Sequence, residues 1–277
     1  MSEQASIIEL GSWLETPPGQ YLLGWEQHRL DLAVANVFGF HALQLGLPMV
    51  DALQANRMPY KWVASAWPEA PGALLCEFEA LPFADQSIDL VVLPHTLELA
   101  RDPHQCLREV ERVLMPEGRV VVTGFNPASL WGIRQRAGHV RRGAGLGRSK
   151  VPYLPRSGEF IGYWRLRDWL RLLGFELASG HFGCYRPPLH AERWLQRFRW
   201  MDNVGERWWP VLGAAYALEG VKRVRGMRFV GLAPAERRKT AAAAAVVNRV
   251  NKGVNKAGRS QAGVPQREEA LSTGQER

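Results

Sequence analysis

The apolar residues of this chain change their spacing several times, and each change marks an element. Ile88 to Leu93 (IDLVVL) and Arg119 to Thr123 (RVVVT) are short apolar runs rich in β-branched residues. That is the pattern of strands buried on both faces. Between them Leu107, Val110, Val113 and Leu114 recur at helical spacing, with Arg108, Glu109, Glu111 and Arg112 on the opposite face. Asp102 followed by Pro103 supplies a capping acid and a proline at the first helical position, and Pro116 and Gly118 stop the helix. Two buried strands joined by a helix predict a parallel, right-handed βαβ crossover. In open α/β sheets ligands gather beyond the carboxyl ends of the strands. The residues of interest are therefore Leu93 to Glu98 and Gly124 to Trp131.

The same reading extends outward from that unit. Ser6 to Leu14 suits a short helix, and Thr16 with Pro17 and Pro18 opens a second one reaching Phe38. Its apolar residues (Tyr21, Leu22, Trp25, Leu30, Ala33, Val34, Val37) predict packing on the sheet. Phe40 to Leu45 reads as the first strand with a turn at Gly46, Tyr60 to Ala66 as the second and Gly72 to Phe78 as the third. Trp164 to Leu173 has helical spacing and Gly174 ends it. Strands follow from Phe175 and over Ala214 to Val221. Residues 191–209 interleave Trp194, Phe198, Trp200, Trp208 and Trp209 with Arg197, Arg199 and Arg207. This composition reads first as core-facing aromatics with arginine stems alongside. Base stacking and an interfacial membrane helix are its other two uses.

The run EALPFADQSIDLVV, then PHTLEL, then REVERVLMPEGRVVV, resembles the class I S-adenosylmethionine-dependent methyltransferases of the methyltransferase type 11 group, over about residues 40–126. The resemblance implies a Rossmann-like three-layer αβα sandwich with a mixed seven-stranded sheet whose last strand is antiparallel. It implies an enzyme that transfers a methyl group from S-adenosyl-L-methionine to a small-molecule acceptor. Carried over position by position, the cofactor would lie across Gln44, Gly46, Glu77, Phe78, Glu79, Leu93 and Pro94. Glu77 matches the acid that takes the adenine amino group, and Glu79 the loop acid. His95, after the fourth strand, is the candidate catalytic group, as general base or substrate orienter; the alternative is that it closes the turn with Glu98. Asn126 and Trp131, after the fifth strand, are candidate substrate contacts. In that family N-terminal helices pack on the sheet and sometimes cover the cofactor.

The chain departs from the pattern at four points. Where the family carries an acid and several glycines after the first strand, this sequence reads Gln44, Leu45, Gly46, Leu47, Pro48, Met49. Only one glycine remains, and Pro48 has no backbone donor. The acid that grips the ribose at the end of the second strand is missing, with Ser65 and Glu69 the nearest substitutes. Leu99 stands in place of a second histidine. These departures support an alternative function, a non-catalytic binding or regulatory protein on the same fold.

Charge alters the picture in two places. The chain carries +8 overall, and from Pro234 to Arg277 nine Lys/Arg face four acids. Residues 233–277 are therefore expected as a disordered basic tail beyond a core domain of residues 40–232, itself preceded by helices in residues 1–39. Between Gly118 and Glu159 no acid occurs among eight basic residues. That predicts a basic, glycine-rich lid over about residues 128–160, suited to an anionic substrate or nucleic acid. Its GAGLGRSK run fails the spacing of a phosphate loop. An RNA-directed methyltransferase is thus a second alternative. Three scattered cysteines make no disulfide framework, and no His/Cys/Asp spacing suggests a metal site. With no apolar run near the ~18 residues a membrane span needs, a cytoplasmic location is expected. The identity of the acceptor and the oligomeric state are not written in these patterns.

Overall fold

The computed structural model describes residues 3–66, 73–143, 153–155 and 160–223. Glu69, the later part of the basic stretch after residue 143 except 153–155 and 160, and the whole basic tail lie outside the described residues.

Seven strands form one sheet: β1 (His41–Leu45), β2 (Tyr60–Ser65), β3 (Leu74–Leu75), β4 (Ile88–Pro94), β5 (Leu114–Phe125), β6 (Phe175–Gly183) and β7 (Ala215–Lys222). Their order is β3-β2-β1-β4-β5-β7-β6. The first five are parallel, and β7 runs antiparallel between β5 and β6. The expected mixed sheet with an antiparallel last strand is what the chain forms. The helices are α1 (Glu3–Leu14), α2 (Pro17–Ala35), α3 (Thr96–Leu99), α4 (Pro103–Val113), α5 (Leu130–Gly143), α6 (Tyr163–Leu172), α7 (Glu192–Arg197) and α8 (Trp200–Trp208).

Alternation along the strands builds two cores. Ala42, Leu90, Val92 and Val121 point to one face, where Leu22, Leu30 and Val34 of α2 meet them. Leu43, Leu45, Val91, Leu93, Val120 and Val122 point to the other, against Leu107, Val110 and Val113 of α4 and Leu166 and Leu170 of α6. The result is three layers with the sheet in the middle. Complete burial of one such Leu or Val is worth about 1.5–3 kcal/mol.

Capping follows the residues that announced it. Asp102 accepts from the backbone N–H groups of His104 and Gln105, both at 3.0 Å, at the start of α4. Thr16 caps α2 ahead of Pro17.

Three expectations are corrected by the structure. The third strand spans two residues rather than Gly72 to Phe78. Residues 130–143 of the basic stretch form helix α5, started by Ser129, whose hydroxyl accepts from Gly132 N–H at 3.1 Å. The tryptophans of residues 191–209 are not core-facing: Trp194, Trp200, Trp208 and Trp209 are exposed.

Candidate active site at the carboxyl end of the sheet

The carboxyl ends of β1, β4 and β5 meet at one edge of the sheet, where the backbone turns sharply. Gly46, directly after β1, has φ +77°, a conformation that favours glycine. A Cβ there would lie 3.0 Å from Thr96 Oγ1 and 3.7 Å from the Phe78 ring. The Thr96 hydroxyl donates to the Leu45 carbonyl, which ties the end of β1 to the residue after His95. Gly46, Phe78 and Thr96 are therefore packed together at the turn where the resemblance expects the cofactor.

Gln44 is fully buried in β1, and its amide is completely engaged. Nε2 donates to the carbonyls of Gly46 (3.2 Å), Leu47 (3.0 Å) and Val50 (2.7 Å), while Oε1 accepts from Ala52 N–H (3.0 Å). The side chain thus holds the loop 46–52 from inside. A carboxylate here would turn one acceptor-only group toward three carbonyls, so the amide is chemically required by this loop. Leu47 is held at φ +40° within it.

His95 follows β4 in the left-handed region (φ 52°) and is completely buried. Its Nδ1 lies 2.7 Å from Glu98 Oε2, and its Nε2 lies 2.7 Å from Glu26 Oε1. The second oxygen of Glu98 accepts the Phe125 N–H at 2.7 Å. Burial alone would push the imidazole pKa down, but the two carboxylates, by charge and by hydrogen bond, outweigh it and raise it to about 10. Burial also raises Glu98, against the lowering pull of His95. A carboxylate at hydrogen-bond distance from each ring nitrogen favours the imidazolium, with both N–H groups donating. No lone pair remains to take a proton from an acceptor.

The other sequence candidates separate. Leu93 and Pro94 lie inside β4, paired with Val122 and Thr123. Glu77 is exposed at the head of the turn after β3, and its carbonyl accepts from Ala80 N–H. Glu79 accepts from Asp102 N–H at 3.1 Å, bracing the loop before α4. Asn126 is buried; its amide donates to the carbonyls of Val211 and Gly213 and accepts from Ala128 N–H. It joins the β5 turn to the segment entering β7. Trp131 is buried and donates to the Arg186 carbonyl at 2.7 Å, packed edge-on to Trp13 and Tyr153. Together with Phe125 and Phe160 these rings form an aromatic wall beside His95.

Glu26 is the site residue that sequence reasoning missed. Leu22, Glu26, Leu30 and Val34 are all buried at spacing four on α2. An acid inside an otherwise apolar stripe is the signal that could have found it.

Next to this edge, at the end of β6, a cavity of about 780 Å³ opens between α2 and α8, with Tyr21, Trp25, Arg186, Arg199 and Asp202 among its lining. Arg186 lies over the Tyr21 ring at 4.1 Å and pairs with Asp202 at 2.9 Å. The Tyr21 hydroxyl donates to the same carboxylate. Among the described residues no group of His, Cys, Asp and Glu is arranged to hold a metal ion.

Against known proteins, a family profile described as a methyltransferase domain matches residues 32–122. An uncharacterized Escherichia coli protein, YafS, is 31% identical over 173 residues, covering 62% of this chain and 68% of that protein. A malonyl-[acyl-carrier protein] O-methyltransferase of Halorhodospira halophila is 33% identical over 94 residues, which is 34% of this chain and 29% of that enzyme. Among solved structures, a methyltransferase in complex with the Haloferax volcanii Trm112 methyltransferase activator superposes with a TM-score of 0.51 at 17% identity, over 80% of this chain and 99% of that one.

Proposed function

Because the chain belongs to the class I S-adenosylmethionine-dependent methyltransferases, we propose that it methylates a small-molecule acceptor that is already ionised, or ionises without a protein base. The single observation behind the second half of that statement is the buried Glu26–His95–Glu98 cluster. With both ring nitrogens held by carboxylates, His95 offers no free base, which favours an acceptor that has already lost its proton. Carboxylates meet that condition outright near neutral pH, and thiols do so through their minor thiolate form.

The residues present fit the cofactor at its nucleoside end. Gly46 keeps the turn after β1 close to Thr96, whose hydroxyl a Cβ would crowd, with Phe78 beside it. Glu77 stands exposed on the following turn, where it would take the adenine amino group. Gln44 does not fit the role of the missing acid, since every polar atom of its amide is spent on loop 46–52. When bound, S-adenosylmethionine supplies a methyl group on a sulfonium, which needs an aligned nucleophile rather than an activated leaving group. The chain contributes alignment and exclusion of water: the aromatic wall of Trp13, Phe125 and Trp131 closes one side, and the fixed imidazolium holds α2 against the end of β4. The neighbouring cavity has the volume of a small-molecule site, and Arg199 on its lining, which makes no ion pair among the described residues, favours an anionic acceptor.

Calorimetric titration with S-adenosylmethionine and S-adenosylhomocysteine tests the reading, with Glu77→Ala as the paired variant. Micromolar binding, weakened about tenfold in the variant by loss of a hydrogen bond to a charged group, is expected. Absence of heat up to millimolar ligand, in a protein with an unchanged melting curve, would sink it and favour a non-catalytic binding protein on this fold. The RNA-directed alternative rests on basic stretches that lie largely outside the described residues.

A further inference from the structure

Helices α7 and α8 and the turn Pro210–Leu212 present a surface with its usual polarity reversed. On α8, Trp200, Val204, Arg207 and Trp208 fall at i, i+4, i+7 and i+8, one stripe of the helix. In this stripe Trp200 is 57% and Trp208 71% exposed. The opposite stripe carries the small and charged residues. Gly205 presses on Tyr185, with no room for a Cβ, and Asp202 is bonded to Tyr21 and Arg186. Glu206 pairs with Arg29 of α2. The helix is thus fixed to the body by its polar side, and its aromatic side faces outward. Trp194 of α7, Trp209, Val211 and Leu212 continue the exposed apolar surface.

The charges on the same segment are one-sided. Arg193, Arg197, Arg199 and Arg207 make no ion pair among the described residues. Of the segment's three acids, Asp202 and Glu206 are neutralised by Arg186 and Arg29. Tryptophan favours the boundary between headgroups and acyl chains, and arginine reaches from there to lipid phosphates. Exposed Val211 and Leu212 add surface that a nucleic-acid base cannot stack on but an acyl layer accepts. No helix of the described residues is long and apolar enough to cross a membrane, so the contact would be peripheral.

We propose that α7, α8 and the Pro210–Leu212 turn dock the protein on an anionic lipid bilayer, with Trp200, Trp208 and Trp209 at the headgroup boundary and Arg193, Arg197 and Arg207 on phosphates. The proposal stands apart from the identity of the methyl acceptor.

The test uses the full chain with vesicles of phosphatidylcholine alone or mixed with phosphatidylglycerol, at about 50 mM salt. Sedimentation measures binding, and quenching of tryptophan fluorescence by brominated acyl chains measures insertion. The paired variant replaces Trp200, Trp208 and Trp209 with Ser; all three are exposed, and a melting curve checks its fold. Expected are binding to the anionic vesicles, quenching, and at least about a tenfold loss of both in the variant. Three results would overturn the proposal. One is no binding to anionic vesicles. Another is vesicle binding in the variant equal to that of the unaltered chain, which assigns the interaction to the basic tail. The third is single-stranded RNA held more tightly than vesicles and lost in the variant, which assigns the tryptophans to base stacking.

Discussion

At the residue scale, Gln44 shows how a departure from a family pattern can carry its own logic. Read as a sequence, it replaces an acid that helps bind the cofactor; in the fold it is the internal brace of loop 46–52. Restoring the acid is therefore expected to harm the protein. In Gln44→Glu the two donated hydrogens are lost and a buried carboxylate faces three carbonyls. Destabilisation of about 2–4 kcal/mol is expected from the unmade bonds and the desolvated charge, read as a lower urea midpoint at unchanged m-value, with no gain in affinity for S-adenosylmethionine. A gain in affinity with stability intact would show that the loop tolerates the acid. The position of Gln44 was legible from its place at the end of an apolar run. Its role was not, because its partners are backbone groups whose direction depends on how residues 46–52 fold. His95 is the same case over a longer range: its partner Glu26 is 69 positions away, and no local pattern joins them.

At the element scale, the apolar runs that predicted β1, β4, β5 and α4 did so because those elements bury both faces or one clean stripe. Helix α4 had a start signal as well, and this signal is measurable. Asp102→Ala removes the acceptor for two orphan N–H groups and should cost about 1 kcal/mol, seen as a small fall in melting temperature with the fold retained. A loss several times larger would mean that the Asp102 N–H bond to Glu79 also depends on the cap. Elements with weaker signals are less legible. Helix α5 lies in a stretch whose arginines and glycines read as a basic lid and hide its length, while its start is fixed by Ser129 and the buried Trp131. The pair α7–α8 looked core-facing because aromatic spacing says that a helix has an apolar stripe without saying what meets it.

At the scale of the whole molecule, the buried imidazolium links stability to pH. An unfolded histidine loses its proton above about 6.5, whereas His95 in the fold holds it to about 10. The contribution is fully present below 6.5, declines between the two values and is lost as pH rises through the upper one. The unaltered chain should lose stability over that window more steeply than His95→Gln. The variant should also be weaker at pH 7 by about 3–5 kcal/mol, because Glu26 and Glu98 are left buried without their cation. Equal slopes in urea titrations from pH 6.5 to 10 would show that the ring is not charged in the fold. The sheet order carries a different consequence, one that concerns synthesis. Strand β7 is made last yet lies between β5 and β6. Until Ala215–Lys222 leave the ribosome, β5 shows an unpaired edge and β6 has no neighbour to join. At ordinary elongation speed that interval is on the order of ten seconds. During it the nascent chain carries the open strand edge that finished sheets hide, and any product stopped short of β7 keeps it permanently.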